Sequence, residues 1–398
     1  MTKEVQVKVG IISINAHTKV LNFASPLHSY AFQQFLTQNG VDSVIIDYKP
    51  NYYGEFNPRH PYFYYRTHKS QDKARQKSLE HKWLTLFIAR QVRFDKFQRF
   101  IDKYYVTTDK CYNHKLLDTE DLGLDCYICA TDVIWKCNKN AGFDRGFFLA
   151  CDSMKGKHKI AYAASRGPSQ YTPEQEKLFL SYIEPFDHIS VREKSLGEYI
   201  ESVSDIKTTH VLDPVLLHEK SFYEPIIKRP KRKKGYVLLY VVMEKANPLI
   251  RLAVKFAKER GLEVIELSEN MEDAKIPKGT HHKVVYNIGI EEWLGYMDEA
   301  EYIFTNSFHA TCFSILFHKQ FFVGKRNGDK IVSVMEMFGL SGRTIAECFD
   351  GHKCLVGDID FAPVDELRRK YMKESSQFLL DAIRDVEEKV EAEKKDKE

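Results

Sequence analysis

The segment 305–310 (Thr-Asn-Ser-Phe-His-Ala) carries residue types that could do chemistry at the start of a helix. The apolar spacing over 301–317 predicts a strand before this segment and a helix after it. The first amides of a helix carry partial positive charge and suit a phosphate or carboxylate, and an imidazole there can move a proton near neutral pH. We therefore expect Asn306, Ser307 and His309 to contribute to a substrate site, with His309 catalytic. The alternative is that Ser307 only caps the helix and His309 hydrogen-bonds locally.

Cations follow two other predicted strands. Lys325 and Arg326 stand after one of them and could clamp an anion, although an ordinary basic loop would have the same composition. Arg192 follows the predicted strand 188–191, where a guanidinium can grip a carboxylate or phosphate through two parallel hydrogen bonds. Its alternative role is an internal ion pair with Glu193.

Two further candidates lie in the first half of the chain. Asp132 follows a predicted strand at 124–130 and could act as a general acid or base if burial raises the pKa of its carboxyl. The alternative is that it caps a helix. Ser165 lies in a predicted tight turn at 163–167, where it is a candidate substrate ligand or only part of the turn.

The sequence lacks the motifs that are typical of several functional classes. No Walker loop, no dinucleotide-binding G-x-G-x-x-G, no G-x-S-x-G elbow and no H-E-x-x-H motif occurs. The net charge of +3 over 398 residues gives no general case for nucleic-acid binding. No run approaches the roughly 18–20 apolar residues of a membrane span, and the first residues lack the apolar core of a secretion signal. We therefore expect a cytoplasmic protein without a nucleic-acid partner.

The cysteines fit the same expectation. Cys126 and Cys129 have a spacing used by metal sites, but no second pair completes one, and both lie in an apolar run. Buried core thiols are the favoured interpretation, with a metal or redox role as the alternative. The sequence thus predicts no bound metal and no cofactor.

The elements that must position these residues form two runs of alternating strands and helices. Such alternation predicts two α/β domains with parallel sheets, in which ligands collect at the carboxyl ends of the strands. The predicted division is a first Rossmann-like domain over 1–224, a basic linker over 225–235, a second Rossmann-like domain over 236–362, and a C-terminal helix over 363–398 whose tail frays from about 391.

A basic, aromatic segment at 51–110 interrupts the first domain. Its apolar spacing predicts a helical insertion, either with a solvated face or as a lid that contacts an anionic or lipid-phosphate acceptor. The basic linker is predicted to be a solvated connector, with weak attraction to anionic lipid as its alternative.

Taken in order, these motifs resemble the polysaccharide pyruvyltransferase family from about residue 8 to residue 350. No single motif is specific, whereas their order and spacing are. The segments that carry the resemblance, besides the opening strand–loop–helix, are 93–100, 130–135 (Ala-Thr-Asp-Val-Ile-Trp), 160–165, 189–194, 212–214, 305–310 and 324–327.

The resemblance implies two Rossmann-like domains facing each other across a cleft, as in the GT-B glycosyltransferases. It implies phosphoenolpyruvate as co-substrate and a sugar diol, in a lipid-linked precursor of a capsular polysaccharide or exopolysaccharide, as acceptor. The donor would lie near His309, with Arg192, Lys325 and Arg326 holding its phosphate and carboxylate, while His309 and Asp132 transfer protons.

This chain departs from the family pattern at residues 307–309, where some members have Arg-Leu-His in place of Ser-Phe-His. Lys325 or Arg326 would then replace the missing cation. Two other functions remain open from the sequence. One is a GT-B glycosyltransferase that uses a nucleotide sugar, with Glu291 or Glu292 binding the ribose. The other is a non-catalytic scaffold for polysaccharide assembly, docked through the basic insertion.

Overall fold

Two parallel β-sheets organise the chain. The computed structural model describes residues 7–167, 170–232, 234–242, 247–267, 282–324 and 328–396. The first sheet contains β1 (Lys8–Ile12), β2 (Asp42–Ile45), β3 (Cys126–Asp132), β4 (His158–Ala164), β5 (His188–Val191) and β6 (Thr209–His210). The second contains β7 (Tyr236–Tyr240), β8 (Glu263–Leu267), β9 (His282–Val285), β10 (Tyr302–Thr305) and β11 (Gln320–Val323).

Every pair of neighbouring strands in both sheets is parallel. The strand order is β2-β1-β3-β4-β5-β6 in the first sheet and β11-β10-β7-β8-β9 in the second. The predicted architecture of two Rossmann-like α/β domains is therefore confirmed. The winding direction reverses between β1 and β3 and again between β7 and β10, and such reversals open the crevices where ligands bind in α/β proteins.

Helices cover both sheets. The helices are α1 (Ala24–Gln38), α2 (Pro61–Thr67), α3 (Lys73–Thr85), α4 (Phe87–Tyr104), α5 (His114–Thr119), α6 (Pro173–Ile183), α7 (Lys194–Val203), α8 (Lys220–Tyr223), α9 (Asn247–Glu259), α10 (Ile290–Glu299), α11 (Phe308–Leu316), α12 (Lys330–Met337), α13 (Ile345–Cys348) and α14 (Phe361–Lys395). A short antiparallel pair, β12 (Phe349–Asp350) and β13 (Lys353–Cys354), follows α13. Within the described ranges, no helix is long and apolar enough to cross a membrane.

Local sequence signals explain where several helices begin and end. Thr172, directly before Pro173, is the residue type that the sequence predicts as an N-cap, and Thr172 and Gln175 form a reciprocal capping box at the start of α6. Gly40, at φ +79°, ends α1, and the amide of Val41 then donates to the Leu36 carbonyl at 3.0 Å.

Central strands of the first sheet are buried on both faces. Cys126 and Cys129 of β3 are both buried and belong to different core clusters, because residues three apart in a strand point to opposite faces. Burial raises the pKa of both thiols. The interpretation of these cysteines as core thiols is confirmed.

The segment 51–110 is less solvated than the sequence predicted. Exposed basic side chains do line α3, but Arg90 and Arg93 of α4 are buried. The Arg93 guanidinium donates to the carbonyl of Leu21 at 2.7 Å and to the carbonyl of Tyr286 in the second domain at 3.3 Å. The helix α4 therefore lies between the domains.

The basic linker is largely exposed, as expected for a solvated connector, but three of its cations form ion pairs with the second domain. Lys228 forms an ion pair with Glu291, and Arg229 pairs with Asp298. Arg232 pairs with Glu263. Because these cations already face acidic groups of the second domain, they offer less attraction to an anionic lipid than their sequence implies.

The C-terminal helix α14 returns to the first domain. Ser375 accepts a hydrogen bond from the Leu212 amide at 2.9 Å, and His188 lies 2.7 Å from Asp385. The helix α14 continues to Lys395, and the predicted fraying from residue 391 stays a prediction.

Candidate active site

Strand ends of the first sheet face helix starts of the second domain. Asp132 ends β3 and Arg192 follows β5, while His309 lies in the first turn of α11 and Lys330 begins α12. In both sheets this edge includes the point where the winding reverses. The position is where the sequence predicted a site.

Arg192 is the centre of a buried ion cluster. Its Nη2 donates to Asp132 at 3.0 Å, its Nε to Glu193 at 3.1 Å and its Nη1 to Asp213 at 3.0 Å. The ring of Phe308, from the second domain, covers the guanidinium at 4.3 Å. With only 1% of its side chain exposed, Arg192 holds three carboxylates in place. Three of its five N–H groups therefore have protein partners, which include the ion pair with Glu193 predicted as the alternative, and its role in binding a substrate anion stays a prediction.

Asp132 stands at a left-handed end of β3, with φ +67°, a conformation that aspartate tolerates better than most residues. Lys330 Nζ lies 3.6 Å from its Oδ1. Burial opposes ionisation, but Lys330 and Arg192 outweigh it and hold the pKa of the Asp132 carboxyl well below its ordinary value. The sequence predicted a general acid or base at Asp132 only if burial raised the pKa of its carboxyl. That pKa is lowered instead.

His309 reaches the same cluster from the other domain. Its Nε2 lies 3.4 Å from Asp213 Oδ2, but no hydrogen bond is formed within the described part of the chain. The ring stacks on that of His28 from α1, with centroids 5.7 Å apart and planes 23° apart. Nε2 of His28 is likewise buried without a hydrogen-bond partner among the described residues. Two buried imidazole nitrogens without partners are uncommon, and a water or a substrate atom between the domains would satisfy them.

The titration of the cluster follows from burial and charge. Burial opposes ionisation of Asp213, yet His309 and Arg192 hold the pKa of its carboxyl far below its ordinary value. Burial lowers the pKa of His28 to about 4, so its imidazole is neutral at physiological pH. Burial raises the pKa of the Glu193 carboxyl despite its contact with Arg192.

The smaller polar candidates support the backbone. The Asn306 amide exchanges hydrogen bonds with the backbone of Val242, at 2.8 Å and 3.2 Å, and so ties β10 to the end of β7. Ser307 caps α11 by accepting from the Ala310 amide at 3.4 Å. The Ser165 hydroxyl accepts from the Gly167 amide at 3.1 Å and is fully buried. All three therefore fit their structural alternatives better than direct substrate contact.

Lys325 and Arg326 lie outside the described residues, so their prediction as an anion clamp stays a prediction. Glu291 and Glu292 were candidates for ribose binding. Glu291 pairs with Lys228, however, and Glu292 lies 2.5 Å from Lys96 of α4. Both acids thus hold the second domain against the linker and α4.

Three residues of the site were missed in the sequence. Asp213 directly follows a predicted strand, the position that selected Asp132 and Arg192, so the same criterion could have found it. His28 and Lys330 carried no such signal, because they stand at and just before predicted helices. Only the packing of the two domains brings them to Asp213 and Asp132.

The chain was compared with known proteins. A family model described as polysaccharide pyruvyl transferase matches residues 27–323. No curated protein matches the sequence. The fold is similar to that of a UDP-GlcNAc 2-epimerase from Methanocaldococcus jannaschii, with 12% identity, 92% of each chain covered and a TM-score of 0.45.

Two further solved structures are similar at the same level. A putative UDP-N-acetylglucosamine 2-epimerase from Listeria monocytogenes has 8% identity, with 94% of this chain and 90% of that chain covered and a TM-score of 0.49. The calicheamicin glycosyltransferase CalG4 has 10% identity, with 98% of both chains covered and a TM-score of 0.41.

Proposed function

The chain belongs to the polysaccharide pyruvyl transferase family, and from this premise we propose that it transfers pyruvate from phosphoenolpyruvate to two hydroxyls of one sugar. The acceptor is a lipid-linked precursor of a capsular polysaccharide or exopolysaccharide on the cytoplasmic side of the membrane. The products are a cyclic pyruvate ketal and phosphate. The observation that carries the proposal is the buried interdomain cluster that joins Asp132, Arg192, Asp213 and His309.

The reaction needs proton transfer and fixed charge. A proton adds to the methylene carbon of phosphoenolpyruvate and makes the carbon that bears the phosphate electrophilic. One sugar hydroxyl attacks that carbon, phosphate leaves with the carbon–oxygen bond electrons, and a second hydroxyl closes the ketal. One hydroxyl proton restores the general acid and the other leaves on phosphate, so the atoms balance. The protein must therefore supply an acid, an acceptor for hydroxyl protons and positive charge for the leaving group.

His309 is the proposed general acid. Asp132 is held as a carboxylate by Lys330 and Arg192, so it has no proton to give at neutral pH. The same charge suits it to accept a hydrogen bond from the attacking hydroxyl and to stabilise a cationic centre. The neighbouring Asp213 carboxylate lies 3.4 Å from His309 Nε2, close enough for one water or substrate hydroxyl to bridge the two groups. In this proposal His309, and not Asp132, protonates the donor.

Residues other than Arg192 must supply the positive charge that binds the donor. The described cluster pairs two cations, Arg192 and Lys330, with the three carboxylates of Asp132, Glu193 and Asp213, so it has no excess positive charge. We propose that Lys330 contacts the donor and that Lys325 and Arg326, which follow β11, add the missing charge. β11 is the direct neighbour of β10, whose carboxyl end leads to His309.

The helices of the segment 51–110 offer a surface for the membrane that carries the acceptor. Phe63, Leu84 and Ile88 are 55%, 57% and 75% exposed, and exposed lysines and arginines accompany them on α2 and α3. Apolar side chains with basic neighbours suit an anionic bilayer surface. Binding to phosphatidylglycerol vesicles should weaken in Ile88→Ser and stay unchanged in Leu355→Ser, a matched variant of an exposed leucine on the other domain.

A phosphate-release assay tests the proposed reaction. The full chain is incubated with phosphoenolpyruvate and lipid-linked acceptors ending in galactose, glucose, mannose or N-acetylhexosamine, and the products are weighed by mass spectrometry. At least one acceptor should release phosphate and gain the mass of a pyruvate ketal. Turnover of a nucleotide sugar with no pyruvate increment on any acceptor would instead establish the glycosyltransferase alternative. Capsule synthesis in cells that survives His309→Gln but is lost when the chain is deleted would favour the scaffold.

A further inference from the structure

Three side chains converge at a second point on the carboxyl edge of the first sheet. His17 lies in the loop after β1, Asp47 follows β2, and Cys111 lies in the loop after α4. Nε2 of His17 is 2.5 Å from Asp47 Oδ1 and 3.5 Å from Cys111 Sγ. The three ligand atoms all lie within 4.8 Å of one another. None of these residues belongs to the cluster around Arg192.

The backbone fixes two of these positions. The Asp47 carbonyl accepts from the Tyr112 amide at 2.6 Å, and the Lys49 amide donates to the Tyr112 carbonyl at 2.8 Å. The Asp47 amide also donates to the Thr108 hydroxyl at 3.1 Å. The loop that carries Cys111 is therefore hydrogen-bonded to the continuation of β2, so the thiol and the carboxylate are brought together by the fold and not by chance contact of long side chains.

The arrangement differs from a catalytic triad. In a cysteine–histidine–carboxylate relay, the acid holds one ring nitrogen and the thiol faces the other. Here Asp47 and Cys111 both approach Nε2 of His17. Asp47 and Cys111 therefore do not lie on opposite sides of the ring, as a relay requires. Three side chains that point to one position are instead suited to bind one cation.

The separation between nitrogen and sulfur matches a zinc-type ion. Zinc–nitrogen bonds of about 2.05 Å and zinc–sulfur bonds of about 2.3 Å, at a tetrahedral angle, separate nitrogen and sulfur by about 3.5 Å. That is the observed distance between His17 Nε2 and Cys111 Sγ. The nitrogen–oxygen separation would have to open from 2.5 Å to about 3.4 Å, and both of those side chains are partly exposed and able to turn.

We propose that His17, Asp47 and Cys111 bind a divalent transition-metal ion of the zinc type. Three protein ligands leave a fourth position, which a water fills. An open pocket of about 260 Å³ adjoins Cys111 and gives solvent access. The thiolate makes the site selective for zinc or cobalt over magnesium, which prefers an all-oxygen shell. This inference is independent of the proposed pyruvyl transfer, because none of the three residues has a role in it.

Metal titration of the full chain, first stripped with a chelator, tests the site. One equivalent of Zn²⁺ should bind, and Co²⁺ should produce the near-ultraviolet absorption of a cobalt–thiolate bond. Cys111→Ser should abolish that absorption, whereas Cys137→Ser, which alters a partly buried cysteine outside the cluster, should retain it. Loss of a hydrogen-bond partner of a ligand costs about 10–100-fold in affinity, so His17→Ala and Asp47→Asn should each cost at least that much.

The controls keep folding separate from binding. Cys111 is exposed, so its serine variant should melt at the same temperature as the wild type without metal. The proposal is overturned if the wild type binds no zinc, if Cys111→Ser binds as tightly as the wild type, or if Cys137→Ser loses as much affinity as Cys111→Ser. Phosphate release is not part of the readout, so failure here leaves the proposed reaction standing.

Discussion

Arg192→Met should destabilise the protein by about 3–5 kcal/mol at pH 7, the range found when one partner of a buried ion pair is removed. Methionine fills much of the volume of the arginine stem but leaves three buried carboxylates without their shared cation. The arginine side chain is 1% exposed, so solvent does not screen these contacts. At an effective dielectric constant of about 20, each pair of charges about 4 Å apart contributes roughly 4 kcal/mol of attraction. Desolvation of the four groups offsets most of the resulting total of roughly 12 kcal/mol, which leaves the smaller net loss.

The loss in Arg192→Met should depend on pH. In the wild type the pKa values of Asp132 and Asp213 are depressed, so their ionisation stabilises the fold above about pH 4 and this stability is lost as pH falls through the folded pKa values. Burial already raises the pKa of Glu193 in the wild type, and removal of Arg192 should raise the pKa values of Glu193 and Asp213 further, so their ionisation becomes less favourable to the folded state. The deficit relative to the wild type should therefore shrink as pH falls from 7 to 5.

Urea unfolding at pH 7 and pH 5, followed by tryptophan fluorescence, measures both effects. Arg369→Met, which removes an exposed arginine, is the matched control and should change stability by less than about 0.5 kcal/mol. Adding Asp213→Asn to Arg192→Met should recover part of the loss, because one unpaired charge disappears. A deficit below about 1 kcal/mol, or one that is equal at both pH values, would refute the electrostatic account of the cluster.

Three further changes probe the site and the fold. His309→Gln should lower kcat for phosphate release by roughly 10²–10⁴-fold with little change in KM, whereas His352→Gln, on an exposed turn, should leave both unchanged; an equal effect of the two would remove the case for a general acid. Lys330→Met should raise KM for phosphoenolpyruvate more than KM for the acceptor, and the reverse order would place Lys330 on the acceptor side. Thr172→Ala should cost about 1 kcal/mol in urea unfolding through loss of the capping box of α6, and an unchanged midpoint would contradict this reading of the cap.

Where local sequence signals were strong, the elements could be predicted to the residue. Thr172 before a proline predicts a helix over 173–183, and short apolar runs predict strands over 188–191 and 320–323. All three elements occur at those bounds. The strand β9 was not predicted. It lies at the sheet edge, and its sequence His-Lys-Val-Val includes only two apolar residues, so its pairing with β8 comes from tertiary structure.

The sequence predicted that the candidate residues lie at the same strand ends, but it did not predict the contacts that each residue makes there. The rule that ligands collect at strand ends selected Asp132, Arg192 and His309. Arg192, however, meets Asp132 across 60 positions of sequence and Asp213 across 21. The spacing of residues along the sequence does not distinguish an arginine that binds a substrate from one that forms ion pairs with three carboxylates. The contact between His28 and His309 depends on how two separately folded domains dock, which leaves no periodic trace in either segment.

The position of Arg93 changes how variants of the segment 51–110 should be read. One guanidinium bonds the carbonyls of Leu21 and Tyr286, which belong to different domains, and its helix begins in what the sequence presents as an accessory insertion. Deleting the insertion would therefore remove a contact between the two domains. A variant of Arg93 that loses activity would report a changed orientation of one domain against the other, and it would mimic an acceptor-binding defect without any residue of the acceptor site having been touched.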